Sequence, residues 1–200
     1  NYQEPFHVSR NLPACVALIE QLVAVGLQRL VVAGTCYEYG LQNGPLREDF
    51  HTEPLNCYAI AKDSLRRVIA SRYSQIGLQW CWARIFYPFG EGQNPTSLLP
   101  SLQRAIDQGD PIFPMSSGRQ VRDFVPVEQV AQLLLQFSVN PNAQGIFNCG
   151  SGRPTSIREL VEERIAQSFS SIAPELGRFP DREDEPLAFW ADTTRIKSLN

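Results

Sequence analysis

The chain has 200 residues, 43% hydrophobic and 20% charged, with a net charge of −3 and a pI near 5.5. That length carries one domain, or one and a half, with a substantial core. The charge offers no basic surface for nucleic acid or an anionic membrane, no apolar run reaches the roughly 18–20 residues of a membrane span, and no signal-peptide pattern opens the chain. Five cysteines (Cys15, Cys36, Cys57, Cys81, Cys149) are odd in number, widely spaced and set mostly in apolar segments. They read as reduced packing cysteines of a cytoplasmic protein. With no Cys-x-x-Cys spacing and only His7 and His51, neither a metal site nor a histidine triad is expected. The chain starts at Asn1 and its one methionine is Met115, so a piece of a longer protein is expected.

Asn11–Gln28 places Leu12, Val16, Ile19, Leu22 and Val23 on one face, predicting an amphipathic helix. Leu30–Ala33 reads as a buried strand that opens at Gly34 into Thr35, Cys36, Tyr37, Glu38 and Tyr39. A polar loop follows from Gly40 to Asn56. A second helix is predicted over Cys57–Ser74, ended by Gly77, and then a strand over Leu78–Phe86. This order predicts a parallel α/β sheet. Beyond Gly90 come a loop (Pro88–Pro100), a helix near Leu98–Gln108, and short strands at Pro111–Met115 and Asp123–Val125. A helix at Val127–Phe137 and a strand at Gly145–Cys149 are next. Ser156 caps a helix to about Phe169, with Glu159 three residues on; the loop Phe179–Pro186 then leads to a strand at Leu187–Ala191. Residues 1–88 and 124–150 are expected to form a cofactor domain, and 89–123 with 151–200 a smaller α+β lobe facing the substrate.

Tyr58 and Lys62 stand four apart at the start of the second helix, on one face. A nearby ammonium favours the phenolate and is expected to lower the tyrosine pKa, making the phenol a proton donor and acceptor near neutral pH. The chain has sixteen arginines but only two lysines, Lys62 and Lys197. With so few, about 0.06 Tyr-x-x-x-Lys matches arise by chance. Thr35 lies at a strand end on the same rim, where ligands of parallel sheets bind. Its hydroxyl is placed to bond a substrate oxygen that trades a proton with Tyr58. Cys36 as a nucleophile is the competing reading, weakened by the lack of an activating histidine nearby.

These residues, with ARIFYPFGEG (Ala83–Gly92), GRQVRDFVPVEQVA (Gly118–Ala131), GIFNCGSG (Gly145–Gly152) and REDEPLAFWAD (Arg182–Asp192), resemble the extended short-chain dehydrogenase/reductases, the NAD-dependent epimerase/dehydratase family. The resemblance covers nearly the whole chain. It implies a Rossmann-type parallel sheet with a smaller nucleotide-sugar lobe, NAD or NADP as cofactor, a nucleotide-sugar substrate, and a homodimer. It further implies catalytic roles for Thr35, Tyr58 and Lys62, with Lys62 holding the nicotinamide ribose. Ala33, Gly34, Phe86 and Pro88 would border the cofactor. Arg122 and Arg182 resemble the arginines that grip the substrate phosphates, and Asp123 is read as a structural anchor. Tyr87 stands where many members carry a diphosphate-contacting asparagine.

Two departures narrow the reading. The 4,6-dehydratases follow the threonine with Asp-Glu, where this chain has Cys36-Tyr37. The GDP-fucose synthase type needs a cysteine two places after the hydroxyl residue and a histidine on the later loop; Cys36 is one place after, and Pro88–Pro100 has no histidine. The wording GTCYEYG and YAIAKDSLRR is most similar to the 4-ketoreductases that make 6-deoxy sugars, the group of the dTDP-6-deoxy-L-talose 4-dehydrogenases and CDP-abequose synthases. A sugar-nucleotide 4-epimerase and a non-catalytic binding relative are the alternatives. No glycine-rich dinucleotide turn is found: Gly90-Glu-Gly92 meets Pro95, and Gly150-Ser-Gly152 meets Thr155, at the third glycine position. The phosphate cradle is therefore expected before Asn1, and the 200-residue chain alone is expected to bind NAD(P)H weakly or not at all.

Overall fold

The computed structural model describes residues 1–182 and 185–199; Glu183 and Asp184, inside the Arg182–Asp192 motif, lie outside them. A π-type turn (His7–Asn11) leads into α1 (Leu12–Ala24), followed by β1 (Arg29–Thr35), β2 (Gly44–Leu46) and α2 (Cys57–Val68). Next come β3 (Gln79–Ile85), β4 (Tyr87–Phe89), α3 (Leu98–Gln108), β5 (Ile112–Pro114), β6 (Val121–Arg122) and β7 (Phe124–Pro126). The remainder is α4 (Val127–Val139), β8 (Gly145–Cys149), β9 (Thr155–Ser156), α5 (Ile157–Ser168), β10 (Ala173–Glu175), β11 (Phe189–Ala191) and α6 (Thr194–Lys197).

The main sheet has the order β1-β3-β8, parallel throughout. Strand periodicity sorts its central strand. Trp80 and Trp82 face α1 and α2, with Ile19, Leu65, Ile69 and Tyr73. Cys81 and Ala83 face α4, with Phe137, Phe147 and Cys149. Helices on both faces make this the Rossmann-type architecture expected. Register aligns Thr35 with Ile85 and Ile85 with Cys149, so the three strands end together at one rim. A separate core of Leu102, Ala105, Phe113, Met115, Val161 and Ile172 joins α3 and α5 to the β5–β10 pair.

The strand at Leu30–Ala33 differs from expectation. Val31 and Val32 are half-buried and Ala33 is exposed. In this sheet β1 is an edge strand, with β3 along one side only, so its other edge has no strand beside it among the described residues. The second helix is also shorter than predicted: α2 ends at Val68 and continues as a π-type turn and a 3-10 turn to Ile76, where Gly77 adopts the left-handed conformation and stops it. Two short strands sit in segments read as loop, β2 paired with β11 and β4 paired with β7.

Local chemistry explains the clearest boundaries. The capping box of α5 forms as read, Glu159 N–H donating to Ser156 Oγ at 3.0 Å and Ser156 N–H to Glu159 Oε2 at 3.3 Å. Asp123 is an anchor. It accepts from Ser151 N and Oγ at 2.7 and 2.6 Å, from Gly152 N at 2.9 Å and from Ala191 N at 3.0 Å. One carboxylate thereby ties the β8 exit to β11, and Gly150 admits it because a Cβ there would meet Asp123 Oδ2 at 2.5 Å. All five cysteines are free. Among the described residues no helix is long and apolar enough to cross a membrane, and no cluster suits a metal ion.

Candidate active site

At the carboxyl end of β1 the backbone turns through a 3-10 segment capped by Thr35. Thr35 Oγ1 accepts from Tyr37 N at 3.3 Å, while Glu38 Oε1 accepts from Thr35 N at 2.9 Å. This reciprocal cap fixes the Thr35 backbone and occupies one lone pair of its hydroxyl, leaving the hydroxyl proton to be donated. Glu38 is fully buried and turned away from the rim, held by Trp82 Nε1 at 2.9 Å and Arg84 Nε at 2.8 Å. Arg84 shares the parity of Trp82 on β3, which brings its guanidinium to the α2 side of the sheet and under Thr35. Gly34 is where this network comes closest to the strand: a Cβ there would collide with the Trp82 indole nitrogen and Glu38 Oε1. Gly34→Ala is therefore expected to destabilise the fold by about 1–3 kcal/mol. A lowered thermal midpoint checks this; an unchanged one would mean that the strand end can widen.

Asn56 caps α2, its Oδ1 accepting from Ala59 N at 2.9 Å, and Tyr58 N donates to Tyr2 O at 2.9 Å. The first turn is so held between the loop and the amino-terminal segment. Lys62 Nζ lies 5.7 Å from the Tyr58 ring centre and donates to Ala33 O at 2.9 Å. An ammonium has three donors, so this bond to β1 leaves others for a ligand.

A pocket of about 210 Å³ gathers Ala33, Gly34, Thr35, Tyr58, Phe86, Tyr87 and Pro88, together with Tyr2, Cys36, Tyr37 and Ile85. It lies below the roughly 300 Å³ at the small end of ligand sites, room for a ring rather than a dinucleotide. Of the residues expected in the site, Lys62 stands beside this pocket, against Ala33 and the Tyr58 ring, and Arg122 stands behind Tyr87, donating from Nε to its hydroxyl at 3.0 Å. Arg182 is farther out. Both arginines bind one carboxylate, Glu185, with Arg122 Nη2 to Oε2 at 2.9 Å and Arg182 Nη1 to Oε1 at 2.6 Å.

The electrostatics correct one expectation. The Tyr58 pKa is raised, to about 12, because burial outweighs other influences; Tyr2, Cys36 and Glu38 add to the rise and Thr35 opposes it. The ammonium, 5.7 Å from the ring centre, does not reverse the cost of desolvation. Burial also pushes the Cys36 thiol well up, so it is a neutral packing group and no nucleophile. Tyr2 was absent from the sequence reading. Its ring packs 5.2 Å from that of Tyr58 and 5.3 Å from that of Tyr37, and nothing local in its sequence signals a partner 56 residues away. Glu38 and Arg84 were missed too, although an arginine inside LQWCWARIF demands a buried partner.

A profile of the NAD dependent epimerase/dehydratase family matches residues 3–150. The chain belongs to that family. It is similar to the dTDP-6-deoxy-L-talose 4-dehydrogenase (NAD(+)) of Aggregatibacter actinomycetemcomitans, 32% identical over 193 residues, covering 95% of this chain and 70% of the relative. It is similar also to the UDP-glucuronate 4-epimerase of Thermodesulfobacterium geofontis, 27% identical over 203 residues, covering 96% of this chain and 59% of that enzyme. Among solved structures, MoeE5 in complex with UDP-glucuronic acid and NAD superposes with a TM-score of 0.78 at 27% identity, over 91% of this chain and 61% of that one. The family is NAD-dependent, and structural neighbours have been solved with NAD or NADPH bound.

Proposed function

We propose that the protein is an NAD(P)-dependent oxidoreductase acting on a nucleotide-activated sugar, and that it reduces a 4-keto-6-deoxy sugar nucleotide. The observation that carries this reading is the pocket wall. Thr35 and Tyr58 converge there with no carboxylate among the lining residues, since Cys36 and Tyr37 stand beside Thr35 and Glu38 faces Arg84. Elimination of water across a sugar ring needs an acid–base pair, and hydride transfer to a carbonyl does not. The 32% identical dehydrogenase supports the same reading.

The residues present fit the nicotinamide end of the cofactor. The spare donors of Lys62 suit ribose hydroxyls, and Ala33, Gly34, Phe86 and Pro88 offer a mostly apolar edge for a flat ring. When bound, the cofactor supplies the hydride. Thr35 donates its hydroxyl proton as a hydrogen bond to the substrate carbonyl oxygen and stabilises the charge that develops there. Tyr58, neutral at pH 7 because its pKa is near 12, hands its proton to the alkoxide. Lys62, tied to Ala33, holds a positive charge beside the phenol without titrating it. Arg122 and Arg182 are proposed to bind the substrate diphosphate, by the fork geometry that suits phosphate oxygens. The smaller lobe, residues 89–123 with 151–200, would carry those contacts. A cytoplasmic homodimer is part of the same proposal.

The second reading is a sugar-nucleotide 4-epimerase, favoured by relatives such as the UDP-glucuronate 4-epimerase across 96% of this chain. One measurement separates them. With the full-length protein and a 4-keto-6-deoxy sugar nucleotide, one NAD(P)H consumed per product is the expected result. A cofactor that returns to its starting state each turnover would establish the epimerase instead.

A further inference from the structure

Arg122 is 1% exposed, and its donors are held on three sides. Nη1 donates to Val121 O at 2.9 Å and Leu187 O at 3.3 Å. Nη2 donates to Glu185, and Nε to the Tyr87 hydroxyl at 3.0 Å. The guanidinium carbon lies 5.6 Å from the Tyr87 ring centre and 4.8 Å from that of Phe189, so two aromatic rings set its plane. Tyr87 is itself fixed. Its backbone N–H donates to Asp123 O at 3.0 Å, next to Arg122 in the chain, and its ring meets Tyr37 edge-on at 5.9 Å and 77°. Tyr37 N–H in turn donates to Thr35 Oγ1.

Of these partners, the carbonyl oxygens belong to backbone already pinned in the β6 region, and Glu185 is shared with Arg182. Tyr87 alone among the described residues takes the Nε hydrogen bond. Loss of the Nε acceptor removes one of the bonds that fix the orientation of the guanidinium, the one made on the Tyr87 side. We propose that Tyr87 is a positioning residue for the substrate diphosphate: it acts through Arg122, aiming the Nη edge, and makes no phosphate contact of its own. This rests on the reading that Arg122 binds the diphosphate. It gives the tyrosine at the asparagine-like position a function different in kind from a direct contact. It also joins the anion site to the reaction centre by a short path, from Arg122 through Tyr87 and Tyr37 to Thr35.

The test is a double-mutant cycle on the affinity of the full-length protein for UDP and for dTDP, read by titration calorimetry on whichever binds more tightly. Tyr87→Phe keeps the ring and removes the acceptor; Arg122→Met removes the charge and keeps much of the bulk, with Arg122→Lys in its place if the Met variant does not fold. The expected result is that Tyr87→Phe weakens the nucleoside diphosphate about tenfold, the scale of a hydrogen bond to a charged group, and has no further effect in the Arg122 variant. NAD(P)H affinity, measured alongside, should fall less than diphosphate affinity, whereas a general loosening of the pocket would lower both in both backgrounds and overturn the proposal. Equal weakening by Tyr87→Phe in both backgrounds would show a direct phosphate contact, which also overturns it. So would a Tyr87→Phe variant that binds normally while the Arg122 variant does not. If neither variant weakens binding, the assignment of Arg122 to the diphosphate is what fails, and the inference falls with it.

Discussion

Glu38→Ala is expected to cost the fold about 3–5 kcal/mol, the penalty for leaving a buried charge without its partner, read as a lower urea midpoint at unchanged slope. Glu38 is fully buried and accepts from Arg84, Trp82 and the Thr35 backbone. Arg84, itself 1% exposed, would then face the Tyr39 ring and the Glu48 carbonyl oxygen with no carboxylate. An arginine cannot escape by losing its proton, so the whole penalty falls on the folded state. Arg84→Met is the informative contrast. Burial pushes the Glu38 carboxyl up, and Arg84 is the largest influence holding it down. Without Arg84 the carboxyl takes up a proton instead of remaining a bare charge, and the cost is smaller. The sign of the pH dependence follows. An acid whose folded pKa is raised stabilises the fold below the ordinary carboxylate range, and that stability is lost as pH rises. Arg84→Met should therefore lose stability relative to the parent between about pH 4 and 7, whereas Glu38→Ala should be destabilised at both ends. Equal costs for the two variants at every pH would show that the pair contributes packing only. The Thr35 cap depends on the same carboxylate, so Glu38→Ala should also lower turnover in whatever fraction remains folded.

The elements legible in the sequence are those whose signals are local. Leu98–Gln108 ends at a glycine that adopts the left-handed conformation, Gly145–Cys149 is a short apolar run between turns, and Ser156 with Glu159 spells its own cap. Thr35, Tyr58, Phe86 and Tyr87, expected together from motif and strand-end position, line one pocket. What escaped the reading needs long-range information. The β2 strand exists because Gly44–Leu46 pairs with Phe189–Ala191, far along the chain, and nothing in QNGPLRE announces it. The half-burial of Val31 and Val32 follows from the edge position of β1, which hydrophobicity does not reveal. The direction of the Tyr58 pKa is hidden from the sequence for a related reason. Four-residue spacing shows the ammonium but not the Tyr2 and His7 rings that pack 5.2 and 5.3 Å from that of Tyr58 and help to bury the phenol.

The raised Tyr58 pKa has a kinetic consequence, and Tyr58→Phe first tests the role of the phenol. The variant is expected to lose roughly 10²–10⁴-fold in turnover, the usual contribution of a positioned acid or base, while cofactor affinity persists because Lys62 keeps its bond to Ala33. Unchanged turnover would remove Tyr58 from the chemistry. In the parent enzyme the pH profile then distinguishes the two electrostatic pictures. A phenol raised to about 12 is fully protonated from pH 6 to 9, so reduction, which consumes the proton, should be flat across that window. Oxidation of the alcohol needs the phenolate, whose fraction grows tenfold per pH unit below the pKa, so the reverse rate should climb over the same range. A tyrosine lowered by Lys62 toward neutrality would do the opposite: reduction would fall as pH rose past 7, and oxidation would level off. Burial of the phenol against Tyr2 favours the first profile, and it suits an enzyme whose task at neutral pH is to give a proton rather than take one.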